Sequence, residues 1–248
     1  MPEQSSPAPP SLPQDLRTVF VAGPPKCGTT WMRHTLNAHP QAVVRGESNI
    51  APELLWPMLG PAGTYIGKYG HAFGEQDLRD TMRFAVDRLL SSYVEQDRAE
   101  GRERPGLRVV GDKSPGHTRH VALLDWLYPE ARFVICVRDV RDAAVSAYMH
   151  FVRRSPSGRN FFGVGDAMER VAEIYARNHW AEMLRFARAN GQRLGPGRYL
   201  EIEYAAHKTE PHATVERICA FLGLDCDPAI IDAVVDSNSF ELRSGGRR

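Results

Sequence analysis

Residues 18–31 read TVFVAGPPKCGTTW: an apolar run enters a turn of glycine and proline and continues into a segment compatible with a helix. A run rich in β-branched residues before such a turn predicts a strand, a loop and a helix N-terminus in succession. The loop N–H groups, the helix dipole and the hydroxyls of Thr29 and Thr30 would then converge on one anion. This stretch therefore predicts an α/β fold with a phosphate-binding loop after its first strand.

The lysine of this loop does not lie where nucleoside triphosphatases carry it. Their loop places the lysine directly after the second glycine. Here Thr29 follows Gly28, and Lys26 lies inside the loop. The charge is thus offered to a different oxygen of the bound phosphate, which favours a leaving group other than that of a nucleoside triphosphate.

A second motif follows the apolar run at residues 132–137, which is typical of a strand buried on both faces of a parallel sheet. The run delivers Arg138 at its carboxyl end, where open α/β sheets bind their ligands. Ser146 comes eight residues later, on the helix expected next. A guanidinium fork and a hydroxyl suit a dianionic phosphate.

Together these motifs resemble sulfotransferases that use 3′-phosphoadenosine 5′-phosphosulfate (PAPS). The loop fits that family's 5′-phosphosulfate loop at every position, and Arg138 and Ser146 match the two residues that hold the 3′-phosphate. Val140 departs from the pattern, because the family usually has proline there. The loop residues that the resemblance assigns to cosubstrate binding are Pro25, Lys26, Cys27, Gly28, Thr29, Thr30 and Trp31.

The resemblance also implies an adenine site. Trp31 and Phe240 are similar to the two aromatic residues that sandwich the base in cytosolic-type members, where stacking uses the π face of adenine. Tyr204 is similar to the tyrosine of the family's Tyr-Glu-Asp segment, although the acids that follow are missing here.

Three side chains are expected to carry the chemistry. Lys26 would stabilise charge on the leaving phosphate. Glu47 follows a strand end and would act as general base, since the acceptor's proton needs a nearby carboxylate or imidazole. Lys113 resembles the lysine that contacts the transferring group in tyrosylprotein and heparan-type sulfotransferases. Glu47 could instead be a solvated charge, and Lys113 could simply pair with Asp112.

A histidine is the alternative base, because many cytosolic sulfotransferases use one. The candidates are His34, His39, His71 and His117. His39 precedes Pro40 and is expected to cap a helix end, whereas His71 and His117 could line the acceptor pocket.

Composition agrees with one P-loop-like three-layer sandwich, in which helices flank a central, mainly parallel sheet. The chain has 248 residues, 42% hydrophobic and 25% charged, enough for one domain with a sizeable core. Strands are expected at 41–44, 108–111, 132–137 and 199–202. Helices are expected at 29–38, 77–96, 118–128, 166–189, 211–222 and 228–236.

The two ends of the chain lead to separate expectations. Residues 1–16 are rich in proline, serine and glutamine and predict a disordered leader before a single domain at 17–248. We see no signal peptide or membrane-spanning run and expect a cytoplasmic, bacterial protein. The sequence stops before the family's basic, glycine-containing cosubstrate loop; either Arg247 and Arg248 take its place, or a tail is missing.

The function implied is in-line transfer of a sulfuryl group from PAPS to an acceptor hydroxyl or amine, without a metal. The net charge of +1 gives no field that would attract nucleic acid or an anionic membrane, and the four cysteines form neither a disulfide framework nor a metal-ligand pattern. A P-loop-type kinase and a catalytically idle nucleotide-binding module are the alternatives. A small molecule, a sugar or a peptide all remain open as acceptor, as does the oligomeric state.

Overall fold

The computed structural model describes residue 12, residues 15–154 and residues 162–238. Within these residues, five strands form one sheet in the order β2-β3-β1-β4-β5, and every neighbouring pair is parallel. The strands are β1 (Arg17–Ala22), β2 (Ala42–Arg45), β3 (Val109–Lys113), β4 (Arg132–Val137) and β5 (Tyr199–Glu203). The parallel sheet predicted from the sequence is confirmed.

Helices cover both faces of the sheet. In chain order they are α1 (Thr29–Ala38), α2 (Trp56–Tyr69), α3 (Glu75–Ala99), α4 (Val121–Leu127), α5 (Val140–Ala147), α6 (Met168–Ile174), α7 (Glu182–Leu194), α8 (Ala206–Thr209), α9 (Pro211–Leu222) and α10 (Pro228–Ser237). Turns of π-helix occupy Ile50–Leu55, Tyr148–Arg153 and Tyr175–Ala181, and a 3₁₀ turn occupies Pro115–Arg119.

The alternation of side chains along β1 divides the core into two layers. Successive side chains of a strand point to opposite faces. Val19 and Val21 pack with residues of α1, α9 and α10, whereas Phe20 and Ala22 pack with residues of α3 and α4. All four β1 side chains are fully buried. A central strand that is apolar on both faces thus produces the three-layer sandwich.

The strand order places a crevice beside the first loop. The chain leaves β1 through α1 towards β2 on one side, while β4 pairs with β1 on the other side. Open α/β sheets bind ligands where strand order reverses in this way, at the carboxyl ends of the strands. The loops after β1 and β4 meet there.

The structure departs from the expected elements in the segment after β2. Residues 50–69, where no element was expected from the sequence, form a π-helical turn and α2. Pro57 lies in the first turn of α2, where its missing N–H costs no hydrogen bond. The segment expected as one helix at 118–128 is a 3₁₀ turn followed by α4, and the helix expected at 166–189 runs from 168 to 194 through a π-helical turn.

Two expectations about the ends of the chain fall mostly on residues that are not described. The leader at 1–16 lies outside the described residues except for 12, 15 and 16, and so does everything after residue 238. Among the helices of the described residues, we find none with the length and apolarity needed to cross a membrane.

Replacing Phe20 by alanine should destabilise the fold by about 3–5 kcal/mol, because it leaves a cavity in a packed interior. The ring is fully buried and lies 5.8 Å from Phe133, 5.9 Å from Tyr128 and 5.7 Å from His117, measured between ring centroids. Urea unfolding measures the loss. Phe84→Ala is the matched control: the residue is 53% exposed, and its loss should stay within about 0.5 kcal/mol. Equal losses would contradict this description of the core.

Candidate active site

The loop between β1 and α1 exposes the N-terminus of α1. Gly28 is the residue that caps α1, with a φ of 99°, and no side chain accepts from the first turn. A Cβ atom at Gly28 would lie 2.5 Å from Cδ2 of Tyr204, so the close approach of this ring requires glycine. The N–H groups of a helix's first turn have no partner within the helix. The loop therefore offers them, together with the helix dipole, to an anion.

Arg138 projects from the carboxyl end of β4 towards the same loop. Its guanidinium carbon lies 4.5 Å from the centre of the Tyr204 ring, and its backbone carbonyl accepts from Nε1 of Trp180 at 2.8 Å. Nη2 is 3.8 Å from the exposed carboxylate of Asp142, and the buried Nε has no hydrogen-bond partner. A guanidinium that is held against an aromatic ring and keeps one N–H without a partner can bind a phosphate.

One cavity of about 390 Å³ joins these groups to the expected catalytic carboxylate. It brings together most of the residues singled out from the sequence. Its lining consists of Pro25, Lys26, Gly28, Thr29, Thr30, Trp31, Glu47, Pro115, Arg138, Ser146, His150, Phe151 and Tyr204.

Two residues expected at the site do not line the cavity, and a third is not described. The Cys27 side chain is buried behind the loop, with its sulfur 3.9 Å from the hydroxyl of Tyr175, and burial raises the pKa of the thiol to about 11. Lys113 lies below the cavity, and only 2% of its side chain is exposed. Phe240 lies outside the described residues.

Glu47 and Lys113 form an ion pair at the base of the cavity. Nζ of Lys113 donates to Oε1 of Glu47 and lies 3.4 Å from Oγ1 of Thr30. The Glu47 side chain is 47% exposed, so the pair joins a buried ammonium to a carboxylate that solvent and an acceptor can reach. Lys113 does not pair with Asp112, the alternative considered from the sequence; the structure places it on Glu47.

The segment that carries Glu47 lies directly against β3. Gly46 has a φ of 143°, and a Cβ atom there would lie 2.1 Å from the carbonyl oxygen of Lys113. Only glycine adopts this backbone conformation readily and leaves room for the carbonyl. The approach at Gly46 holds Glu47 beside the lysine.

Positive charge is in excess around the cavity. Burial, and then the neighbouring charge of Arg154, lowers the pKa of Lys26, while Glu47 acts in the opposite direction. Burial and the charges of Lys26 and Arg154 likewise lower the pKa of His150. Cations crowded in this way favour a ligand with several negative charges, because each anionic group relieves their mutual repulsion.

The indole of Trp31 is fixed from two directions. Its ring centre lies 3.9 Å from that of His207 and 5.4 Å from that of Tyr204, and Nε1 donates to the carbonyl of Asn238 at 3.1 Å. Burial lowers the pKa of His207 to about 4, so this imidazole is neutral at pH 7. His207 is a neighbour of the indole that the sequence analysis missed, since nothing in the sequence around it distinguishes it.

None of the four histidines considered as an alternative base lines the cavity. His39 and His117 are buried, and His39 caps the end of α1 as expected. His71 lies in the exposed turn after α2, and His34 lines a different cleft. His71 and His117, which the sequence offered as possible lining of the acceptor pocket, do not line this cavity: the first lies in the turn after α2, and Asp112 binds the second in the core.

His150 lines the cavity instead, and the sequence analysis missed it. It lies four residues after Ser146, on the π-helical turn that continues α5. Residues four apart share one face of a helix, so this spacing was the available signal. Phe151 follows it into the cavity wall.

The separate cleft of about 450 Å³ is larger, and three of the arginines in its lining are already engaged in ion pairs. Arg45, Arg102 and Arg104 all form ion pairs with the buried carboxylate of Asp97. We assign this cluster to stabilising the end of α3 against β2.

In the described part of the chain, no group of three or more His, Cys, Asp or Glu residues is arranged to hold a metal ion.

Comparison with known proteins gives one family. The profile described as "Sulfotransferase family" matches residues 18–228. A protein-tyrosine sulfotransferase 2 of Gallus gallus is 22% identical over 218 residues, which cover 88% of this chain and 54% of that protein. An uncharacterised protein of Aquifex aeolicus is 25% identical over 218 residues, or 87% of this chain and 26% of that protein. The chain thus spans between a quarter and about half of these two relatives.

Solved structures show the same fold. A sulfotransferase domain of the Synechococcus olefin synthase superposes with a TM-score of 0.52 and 20% identity, covering 97% of this chain and 86% of that one. A mouse sulfotransferase complexed with PAP (adenosine 3′,5′-bisphosphate) gives a TM-score of 0.53 and 15% identity, covering 96% of this chain and 69% of that one. At these identities the likeness concerns the fold alone.

Replacing Gly46 by alanine should destabilise the protein by about 1–3 kcal/mol, because the new methyl meets a backbone carbonyl and the φ is unfavourable. Urea unfolding measures the effect. Gly63→Ala is the matched control: apart from its chain neighbours a Cβ there meets nothing within 4 Å, and α2 should gain about 0.5–1 kcal/mol. A Gly46→Ala protein as stable as the wild type would contradict the close approach to Lys113.

Proposed function

The chain belongs to the sulfotransferase family, and from that premise we propose that it transfers a sulfuryl group from PAPS to an acceptor hydroxyl or amine. The observation that carries the proposal is one cavity in which an uncapped helix N-terminus and Arg138 face Glu47, whose carboxylate pairs with Lys113. Such a transfer requires two parts: a site that binds the anionic cosubstrate, and a carboxylate that the acceptor can reach.

The cosubstrate half binds through groups already directed into the cavity. The N–H groups at the start of α1, with the hydroxyls of Thr29 and Thr30, receive the 5′-phosphosulfate. The guanidinium of Arg138 and the hydroxyl of Ser146 receive the 3′-phosphate, and the indole of Trp31 offers its face to the base. The buried Nε of Arg138, which has no partner, is the observation that supports this fit.

The chemical half consists of three charged side chains. PAPS, when bound, supplies a sulfuryl group on a phosphate leaving group. Glu47 accepts the proton of the acceptor at a carboxylate oxygen. Lys113, next to Glu47 and Thr30, holds positive charge where the transferring group would lie, and Lys26 stabilises the oxygen from which that group departs.

Two other functions were considered from the sequence. A P-loop kinase shares the fold class, but the family match and the position of Lys26 inside the loop favour sulfuryl transfer. A catalytically idle nucleotide-binding module would have no need of a buried lysine held against a reachable carboxylate. The Glu47–Lys113 pair therefore favours an enzyme.

Several finer features belong to the proposal as well. We propose a bacterial enzyme, in line with the similarity to a sulfotransferase of Alicyclobacillus acidocaldarius. We further propose that it is cytoplasmic and needs no metal. A hydroxyl on a small molecule, a sugar or a peptide remains the acceptor class. The protein-tyrosine sulfotransferases among the relatives make a tyrosyl peptide the first acceptor to try.

Calorimetric titration should detect binding of PAP, and Arg138→Ala should weaken it roughly 10- to 150-fold, because hydrogen bonds to a charged group contribute about 1.5–3 kcal/mol. Arg141→Ala is the matched control: its side chain is 86% exposed and pairs with Asp139, so PAP affinity should not change. Preference for ATP with Mg²⁺, or no nucleotide binding by the wild type, would overturn the proposed function.

The affinity for PAP should fall as pH rises through the alkaline range towards the ordinary lysine pKa of about 10.4. The free pocket holds the pKa of Lys26 below its ordinary value, and a bound anion favours the charged ammonium. Above the lowered pKa, binding must therefore take up a proton, at a cost of up to about tenfold in affinity per pH unit. Lys26→Arg stays charged throughout and should flatten the profile; an unchanged slope would assign the titration to another group.

A further inference from the structure

A fully buried carboxylate that the proposed chemistry does not use lies next to Lys113. Asp112 accepts from the hydroxyl of Tyr93 at Oδ1, at 2.6 Å. Its Oδ2 accepts from Oγ of Ser48 at 2.8 Å and bonds Nε2 of His117 at 2.7 Å. No lysine or arginine of the described residues lies within ion-pair distance of it. Two hydroxyls and one imidazole therefore replace its lost hydration.

The partners of Asp112 connect it to the catalytic pair. Ser48 follows Glu47 in the chain, and Asp112 precedes Lys113. Successive side chains of a strand point to opposite faces. The two contacts, Ser48 with Asp112 and Glu47 with Lys113, thus join the same two segments from opposite faces of β3.

Further contacts on either side complete this attachment. The Asn49 N–H donates to Oγ of Ser114 at 3.1 Å, and that hydroxyl donates to Oδ1 of Asn49 at 2.7 Å. Gly46 lies against the carbonyl of Lys113. Residues 46–49 are therefore held, residue by residue, along the end of β3. Among these contacts, Ser48–Asp112 is the one that leads on to the buried side chains of Tyr93 and His117.

We propose that Asp112, acting through Ser48, is a positioning residue that fixes the Glu47 carboxylate against Lys113 for proton transfer. The inference rests on the proposed function, since it assigns Glu47 the role of base. His117 and Tyr93 keep the buried carboxylate in one orientation, so its Oδ2 is directed at Ser48. A catalytic group that shifts by about an ångström can lose up to about a hundredfold in rate, which is the effect that this anchor prevents.

The test is a double-mutant cycle between Ser48→Ala and Glu47→Gln. With PAPS and 4-nitrophenol as acceptor probe, Ser48→Ala should lower kcat about 10- to 100-fold and leave PAP affinity within about twofold. In the Glu47→Gln background the same substitution should change kcat less than about twofold, because the group that it positions is no longer a base. Ser48→Thr, which keeps the hydroxyl, should restore most of the rate.

Asp112→Asn extends the cycle to the anchor itself. An amide cannot accept from all three donors at once, so this variant should show the same coupling with Glu47→Gln and a lower melting temperature. Ser92→Ala is the matched control, because its hydroxyl donates to the Leu89 carbonyl within α3. It should leave kcat and the coupling unchanged. If the role were merely structural, Ser48→Ala and Asp112→Asn would lower the melting temperature by the same amount in the wild-type and the Glu47→Gln backgrounds, and kcat would not change. That result would overturn the proposal.

Amide hydrogen exchange keeps the two proposals distinguishable. Exchange across residues 45–50 should quicken in Ser48→Ala and stay unchanged in Ser92→Ala, whether or not the acceptor probe is used. Unchanged exchange in Ser48→Ala would overturn the anchoring role even if the wild type transfers sulfate. A wild type that neither binds PAP nor releases it from PAPS would instead overturn the proposed function.

Discussion

β1 pairs in parallel with β3 on one side and with β4 on the other, and the geometry of the site depends on this double pairing. Parallel strands end at the same edge of a sheet. The strand pairing alone therefore brings together the segments that follow these three strands. The loop after β1 supplies the anion-binding N–H groups, the end of β4 supplies Arg138, and the end of β3 supplies Lys113. The sheet thus sets the distances on which the proposed chemistry depends.

A second constraint is electrostatic. The cavity collects several cations around one reachable carboxylate, and two of its groups have pKa values lowered by burial and by neighbouring positive charge. Such an arrangement costs stability in the empty protein and is relieved when an anion binds. The network around Asp112 is of another kind, because the oxygens of a buried carboxyl group are satisfied there by two hydroxyls and one imidazole. The cavity with its cations and the network around Asp112 meet at Asp112 and Lys113, which are consecutive residues of β3.

The sequence predicted the fold and most of the cavity lining because those features follow local rules. Apolar runs before turns located β1 and β4, and the residues at their carboxyl ends located the loop and Arg138. The partner of Lys113 was harder to foresee, because Asp112 is its neighbour in the chain whereas Glu47 lies 66 residues away. His150 and His207 were missed for a similar reason: their neighbours depend on how helices pack. Helix α2 was missed because prolines and glycines lower the local preference for a helix, and packing overrides that preference.

The placement of Cys27 also bears on how the protein tolerates its redox surroundings. The thiolate is the form that oxidants and alkylating reagents attack, and a thiol with a pKa of about 11 is almost entirely protonated at neutral pH. Its sulfur is also fully buried, next to the hydroxyl of Tyr175. A cysteine in the middle of an anion-binding loop therefore does not make that loop a target of oxidative inactivation. Modification would fall first on Cys226, which is exposed and lies between α9 and α10, away from the residues that line the cavity.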